Sequence, residues 1–238
     1  MSTDGKKSRN HFERACGPWW RIWLPGGSIA GGTNRDCSGP KQAEQALQEG
    51  RQLLRKGQSE AAVQRFEQAL AGLHEQQDVV GQARALNGLG AAFNYLGNYK
   101  KAADYFQQSL DLSRQAKARS EEATALNGLG EYNRHIAKYN QAIEYYKLSA
   151  QIARESGDRQ SESRAMVNLG KAYHRLGRTD ESVASIQKGL SIARELNDAQ
   201  RELAALSELG LVYGILGYFD KSIEYQLQSL ALAEKQKC

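Results

Sequence analysis

Residues 86–102 read LNGLGAAFNYLGNYKKA, and residues 126–142 answer with LNGLGEYNRHIAKYNQA. Outward from Gly90, glycine recurs at Gly50, Gly130, Gly170 and Gly210, always 40 residues apart. A second series runs Gly57, Gly97, Gly177 and Gly217, with Ala137 in its one gap. Leucine keeps the same period at Leu70, Leu110, Leu190 and Leu230, where Ala150 is the exception, and small residues keep it at Ala62, Ala102, Ala142, Ser182 and Ser222. Four registers that agree on one period over five copies define an internal repeat.

Each unit reads as two helices joined by a tight turn. In the second, helix A covers about 79–96, Gly97-Asn98 supplies the turn and helix B covers about 99–116. A glycine inside helix A costs about 1 kcal/mol relative to alanine, so its recurrence calls for a close approach. The expected approach sets Gly90 against Ala102 and Gly130 against Ala142, while Leu86, Leu89, Phe93, Tyr99 and Phe106 fill the spaces between. Pro18, Pro25 and Pro40 all precede Lys41. The absence of proline beyond it suits a continuous helical array, since an interior proline costs about 3 kcal/mol. The predicted fold is all-α, a solenoid of about five helix-turn-helix repeats with units at 43–82, 83–122, 123–162, 163–202 and 203–238, behind a flexible tail over 1–41.

The pattern L-x-x-L-G-x-x-[YF]-x-x-x-G-x-[YF]-x-x-[AS], carried by Leu86, Leu89, Gly90, Phe93, Gly97, Tyr99 and Ala102, resembles the tetratricopeptide repeat family in its 40-residue form. Asn133 and Leu53 replace the aromatic of helix A, Gln226 that of helix B, and Glu49 stands where leucine is expected, so unit one reads as degenerate and unit three as less tightly packed. Within the family the units look most like those of partner-of-inscuteable-type polarity adaptors and of bacterial regulatory arrays. Arg164-Ala165-Met166-Val167-Asn168-Leu169-Gly170 and the opening Ala46-Leu47-Gln48-Glu49-Gly50 carry that likeness. The resemblance implies a right-handed superhelix and a scaffold that binds peptides or proteins.

Composition narrows the alternatives. The 238 residues are 40% hydrophobic and 25% charged, with no apolar run of the roughly 18 residues a membrane helix needs. The net charge of +5 divides unevenly: residues 1–41 hold seven Lys/Arg against three Asp/Glu, leaving 25 against 24 in 42–238. A nearly neutral array with few interleaved aromatics argues against nucleic acid as a partner. Cys16, Cys37 and Cys238 lack metal-ligand spacing and an even count, which suits a reducing, cytoplasmic setting. Gly26 to Thr33 spaces glycines and a hydroxyl like a phosphate loop, but Gly32 takes the place of the lysine that would meet phosphate, so the stretch reads as linker. No cofactor or metal is expected, and no nucleophile has a base within reach by sequence logic. The Glu121-Glu122 pair reads as a solvated face favoured by the helix dipole.

In repeats of this class, stacked helices A form the concave wall. By register, its candidate contact residues are Arg51 and Arg55; Arg84, Asn87, Asn94 and Tyr95; Asn127, Arg134 and His135; and Arg164, Asn168, Lys171, His174 and Arg175, with Glu131 as a lone acid. Arginine pairs carboxylates bidentately and asparagine both donates to and accepts from a peptide backbone. The expected partner is therefore a protein or peptide with an acidic segment, and the chain is read as a non-enzymatic adaptor. The alternative is a sensory or regulatory module of a larger signalling system. The carboxylate clamp of chaperone-binding members is missing: its lysine, asparagine and arginine positions hold Leu47, Arg51, Gly88, Thr124 and Gly128. Leu227, Leu230 and Leu232 in the last helix predict self-association through the C-terminal edge, its coverage by the N-terminal tail, or a natural chain longer than this one.

Overall fold

The computed structural model describes residues 39–235, which form ten helices of 17 residues each and, among those residues, no strand. They are α1 (Gly39–Arg55), α2 (Ser59–Glu75), α3 (Val79–Tyr95), α4 (Tyr99–Gln115), α5 (Arg119–His135), α6 (Tyr139–Glu155), α7 (Arg159–Arg175), α8 (Thr179–Glu195), α9 (Ala199–Ile215) and α10 (Phe219–Lys235). The helix pairs start at 79, 119, 159 and 199, four residues ahead of the unit limits read from the sequence. The tail expected over 1–41 lies outside the described residues as far as residue 38, as do Gly26 to Thr33, Cys16, Cys37 and Cys238.

Helices of one length follow from stops of one kind. Each α3-type helix ends in a residue with left-handed backbone, as at Gly97 (φ 76°), where the amides of Gly97 and Asn98 turn back to the carbonyls of Asn94 and Phe93. This double closure satisfies the last carbonyls and reverses the chain within three residues. Ala137 adopts the same conformation (φ 59°), which explains why the glycine series tolerates one gap, at an energetic cost. Asp78, Asn98, Asp158 and Asp198 cap the following helices by accepting from the amide three residues on.

The interior glycines approach different partners from those expected. A Cβ at Gly90 would lie 2.7 Å from the ring of Phe106, and one at Gly128 would lie 2.5 Å from the same ring on its other side. Phe66 is clamped in the same manner between Gly50 and Gly88. The close approach is thus to the aromatic of helix B rather than to Ala102, and a second glycine, in the next repeat, completes the slot. Gly130 meets Tyr146, and Gly170 meets Ile186 and the Ser182 carbonyl. Asn133, which replaces an aromatic, is buried and donates to the Leu129 carbonyl, so the polar side chain is satisfied within its own helix.

The Glu121-Glu122 pair is not a solvated face. Glu122 is buried and takes hydrogen bonds from Arg114 at 3.1 Å and Arg119 at 3.0 Å. One repeat on, Glu162 is 1% exposed and takes them from Arg154 at 2.9 Å and Arg159 at 2.6 Å. Each glutamate therefore ties the end of one repeat to the start of the next. Burial pushes the Glu162 carboxyl up, but the two arginine bonds outweigh it and hold its pKa below the ordinary value.

Consecutive helices pack pairwise, and each odd-numbered helix also touches the next odd-numbered one, whereas no two even-numbered helices meet among the described residues. The array accordingly curves toward α1, α3, α5, α7 and α9, which form its inner wall. The two edges differ. α1 presents Gln45, Gln48 and Gln52 where α3 buries Ala85 and Ala92 and sets Gly88 against Phe66 of the preceding repeat. On α10, Ile223, Leu227 and Leu230 are 58%, 60% and 56% exposed, while Leu232 packs into the core of the last two repeats.

Candidate binding groove

The inner wall is laid out by one stripe on each odd helix. Arg84, Asn87, Asn94 and Tyr95 come from α3; Asn127, Glu131, Arg134 and His135 from α5; Arg164, Asn168, Lys171, His174 and Arg175 from α7. Arg51 and Arg55 are exposed on α1.

Its centre is a polar network. Glu131 accepts from Asn94 at 2.8 Å, Asn127 at 3.3 Å and Asn168 at 3.1 Å, and Asn168 also donates to the amide oxygen of Asn127 at 3.1 Å. Three helices are thereby stitched across one carboxylate. Asn127 and Asn168 are buried, so their amide donors serve the fold, while the amide oxygens of Asn94 and Asn168 accept no hydrogen bond among the described residues. Asn87 is buried too and donates to the Glu121 carbonyl and carboxylate.

Glu131 is not the lone acid of the wall. Glu121 on α5 pairs with Arg84 at 3.0 Å, and Glu208 on α9 faces Lys171 at 4.0 Å. Burial works against the charge of Arg84, but the bond to Glu121 and the charges of Glu121, Glu44 and Asp78 together outweigh it and raise its pKa. Sequence reading missed these acids because it followed conspicuous cations; the spacing of 37 residues common to Arg84–Glu121 and Lys171–Glu208 was the available signal.

Cations concentrate between α5, α7 and α9. Arg134, Lys171, His174 and Arg175 surround one hollow of about 420 Å³ together with Glu208, Leu211 and Ile215. Arg134 Nη2 lies 3.2 Å from His135 Nε2, and its Nε is buried with no hydrogen-bond partner among the described residues. His135 stacks on Tyr99 with ring centroids 3.8 Å apart; burial and the Arg134 charge lower its pKa, with Glu131 acting in the opposite sense. Arg164 is half-buried, and burial together with the charge of Arg201 lowers its pKa, against the pull of Glu131 and Asp158. Tyr95 stands 72% exposed at the end of α3. Among the described residues, no group of three or more His, Cys, Asp or Glu could hold a metal ion, and no helix is long and apolar enough to cross a membrane.

The sequence model of the tetratricopeptide repeat matches residues 42–115, 121–195 and 162–235. The chain belongs to the tetratricopeptide repeat family. No curated protein matches it. Among solved structures, a Rap protein complexed with competence and sporulation factor is 16% identical with a TM-score of 0.76, covering 85% of this chain and 57% of its own. Aspartyl phosphate phosphatase F from Bacillus subtilis is 16% identical with a TM-score of 0.67, covering 84% and 52%. MamA from Desulfovibrio magneticus RS-1 is 20% identical with a TM-score of 0.52, covering 83% and 98%. This tetratricopeptide array thus spans about half the length of the Rap protein and of the phosphatase, and at these identities the likeness is one of fold.

Proposed function

We propose that the inner wall binds acidic segments of protein partners and that the array acts as an adaptor without chemistry of its own. The observation that carries this reading is the hollow where Arg134, Lys171, His174 and Arg175 gather beside Leu211 and Ile215. Guanidinium forks meet carboxylates there, the two aliphatic side chains meet an apolar neighbour, and the Asn94 and Asn168 amide oxygens take backbone N–H groups. The test is fluorescence anisotropy of the full chain with a glutamate-rich and a lysine-rich peptide of equal length. R134E/R175E should lose about a hundredfold in affinity for the acidic peptide, since each charge-assisted contact is worth roughly 1.5–3 kcal/mol. Lys100 and Lys147 on the even helices provide the control pair; Lys101 does not, because its ammonium lies 4.0 Å from the centre of the Phe93 ring. Equal affinity for both peptides would sink the reading.

A second reading, a regulatory module of a larger signalling protein, draws on the Rap structure solved with competence and sporulation factor. A ligand would then change the curvature of the array, read as a shift in radius of gyration by small-angle scattering. The adaptor reading places the protein in the cytoplasm, to be checked by fractionation.

Self-association through α10 completes the proposal. Gln226 occupies the place where Phe66, Phe106, Tyr146 and Ile186 anchor the next repeat, so this edge departs from the internal interface, yet Ile223, Leu227 and Leu230 keep an apolar stripe. Polar Gln45, Gln48 and Gln52 disfavour α1 as its cover, so among the described helices α10 of a second copy fits it best. Sedimentation velocity should show a concentration-dependent dimer that L227E/L230E abolishes.

A further inference from the structure

Neighbouring odd helices meet on the inner wall through residues 37 apart: Arg84 with Glu121, Asn94 with Glu131, Glu131 with Asn168 and Lys171 with Glu208. Arg164 on α7 and Arg201 on α9 stand in that same relationship, two repeats beyond Arg84 and Glu121. Where the earlier pair joins a cation to an acid, the later one sets two cations against each other. Arg164 makes no hydrogen bond and no ion pair among the described residues. Arg201 spends one guanidinium nitrogen on Asp198, and its Nε is buried with no partner among the described residues. A half-buried guanidinium left in this state costs stability, and the deficit is one of negative charge at a defined place.

We propose that the seam between α7 and α9 is a carboxylate-binding site, in which an acidic group of the ligand joins Arg164 to Arg201 as Glu121 joins the wall at Arg84. The inference rests on the groove reading in taking the inner wall as the ligand face, and it adds Arg201 and a specific seam to it. A carboxylate suits the local charge better than a phosphoryl dianion, because Asp198 already engages Arg201 while Glu131 and Asp158 act on Arg164 from further away. The guanidinium groups of Arg164 and Arg201 supply the charged N–H donors that a carboxylate takes.

The test titrates the full chain with acetate and with inorganic phosphate, against chloride at equal ionic strength, and reads the arginine Nε–Hε resonances by NMR. Acetate should shift Arg164 and Arg201 saturably, and R164Q should weaken the Arg201 response at least fivefold. R164E recreates the cation–acid pair within the protein, so it should raise the melting temperature by about 2–4 °C and abolish the acetate response. R201Q provides the second variant if R164E misfolds. Tighter binding of phosphate than acetate would overturn the carboxylate assignment; so would acetate shifts no larger than those of chloride, or a lowered melting temperature in R164Q. Acetate silence at Arg164 with acidic-peptide binding still sensitive to R134E/R175E would remove this site alone. Saturable acetate with no peptide preference would remove the groove reading instead.

Discussion

Asn94 Nδ2 donates to Glu131 Oε2 at 2.8 Å across the α3–α5 seam, and the other oxygen of the same carboxylate takes Asn127 and Asn168. The curvature of the inner wall is therefore fixed in part by one acid. Replacing Glu131 by leucine leaves the amides of Asn94, Asn127 and Asn168 without that acceptor, two of them buried, at roughly 1–3 kcal/mol for each buried donor. We expect E131L to lose about 3 kcal/mol or more in urea unfolding and E131Q about half as much, because glutamine keeps one acceptor. Equal stability of E131L and the parent would show that the network is not holding the wall.

The repeat-linking glutamates set a pH limit. Glu162 has its pKa held below the ordinary 4.5 by Arg154 and Arg159, and Asp158 is likewise lowered: burial opposes, but hydrogen bonds from Ser120 and Ser161 prevail. A depressed carboxylate stabilises the fold fully above its unfolded pKa and loses that contribution as pH falls through the folded value. The melting temperature should hold from pH 7 to about pH 5 and fall below about pH 4.5. E162Q should be destabilised by about 2–3 kcal/mol at pH 7, less than for a fully buried pair because its arginines reach water. The gap between E162Q and the parent should narrow at pH 3.

Gly128 and Gly90 form the two walls of the Phe106 slot. A methyl group on Gly128 would overlap the ring, and overpacking of this kind costs about 1–3 kcal/mol. G128A should be destabilised by that amount, and F106L should relieve part of the loss in the double mutant, giving a coupling energy well above that of two distant sites. Additive single effects would mean that the slot is not shared.

The period of 40 residues made the helices and their turns legible, because a left-handed turn residue and a packed interior glycine leave chemical marks at fixed spacing. Glu122, Glu162 and Glu202 with Arg114, Arg154 and Arg194 carried an equally regular mark, but acids near a helix start also suit solvent and dipole, so composition alone did not reveal these pairings or the burial of Glu122 and Glu162. The groove was legible as a set of positions and not as a set of pairings. Arg84 and Arg164 occupy one register and look alike in sequence; only the neighbouring helix distinguishes them, with Glu121 beside the first and Arg201 beside the second. The slots for Phe66 and Phe106 needed the next repeat's Gly88 and Gly128, which no reading of a single unit would pair with them.

Ala137 gives the least invasive test of the turn chemistry. It is the one member of its series that is not glycine, and it holds φ 59° while its amide and that of Lys138 turn back to the carbonyls of Arg134 and Asn133. An alanine in this conformation costs about 1–2 kcal/mol relative to an unstrained backbone. Glycine removes that strain but adds about 0.4–1 kcal/mol of unfolded-chain entropy to be lost on folding. The difference predicts that A137G stabilises the array by about 0.5 kcal/mol, with G97A destabilising it by a similar amount or more at the equivalent turn. Both are read from chemical denaturation midpoints at unchanged slope. A loss of stability in A137G would mean that neighbouring contacts, and not the turn residue, keep the α5–α6 link in shape.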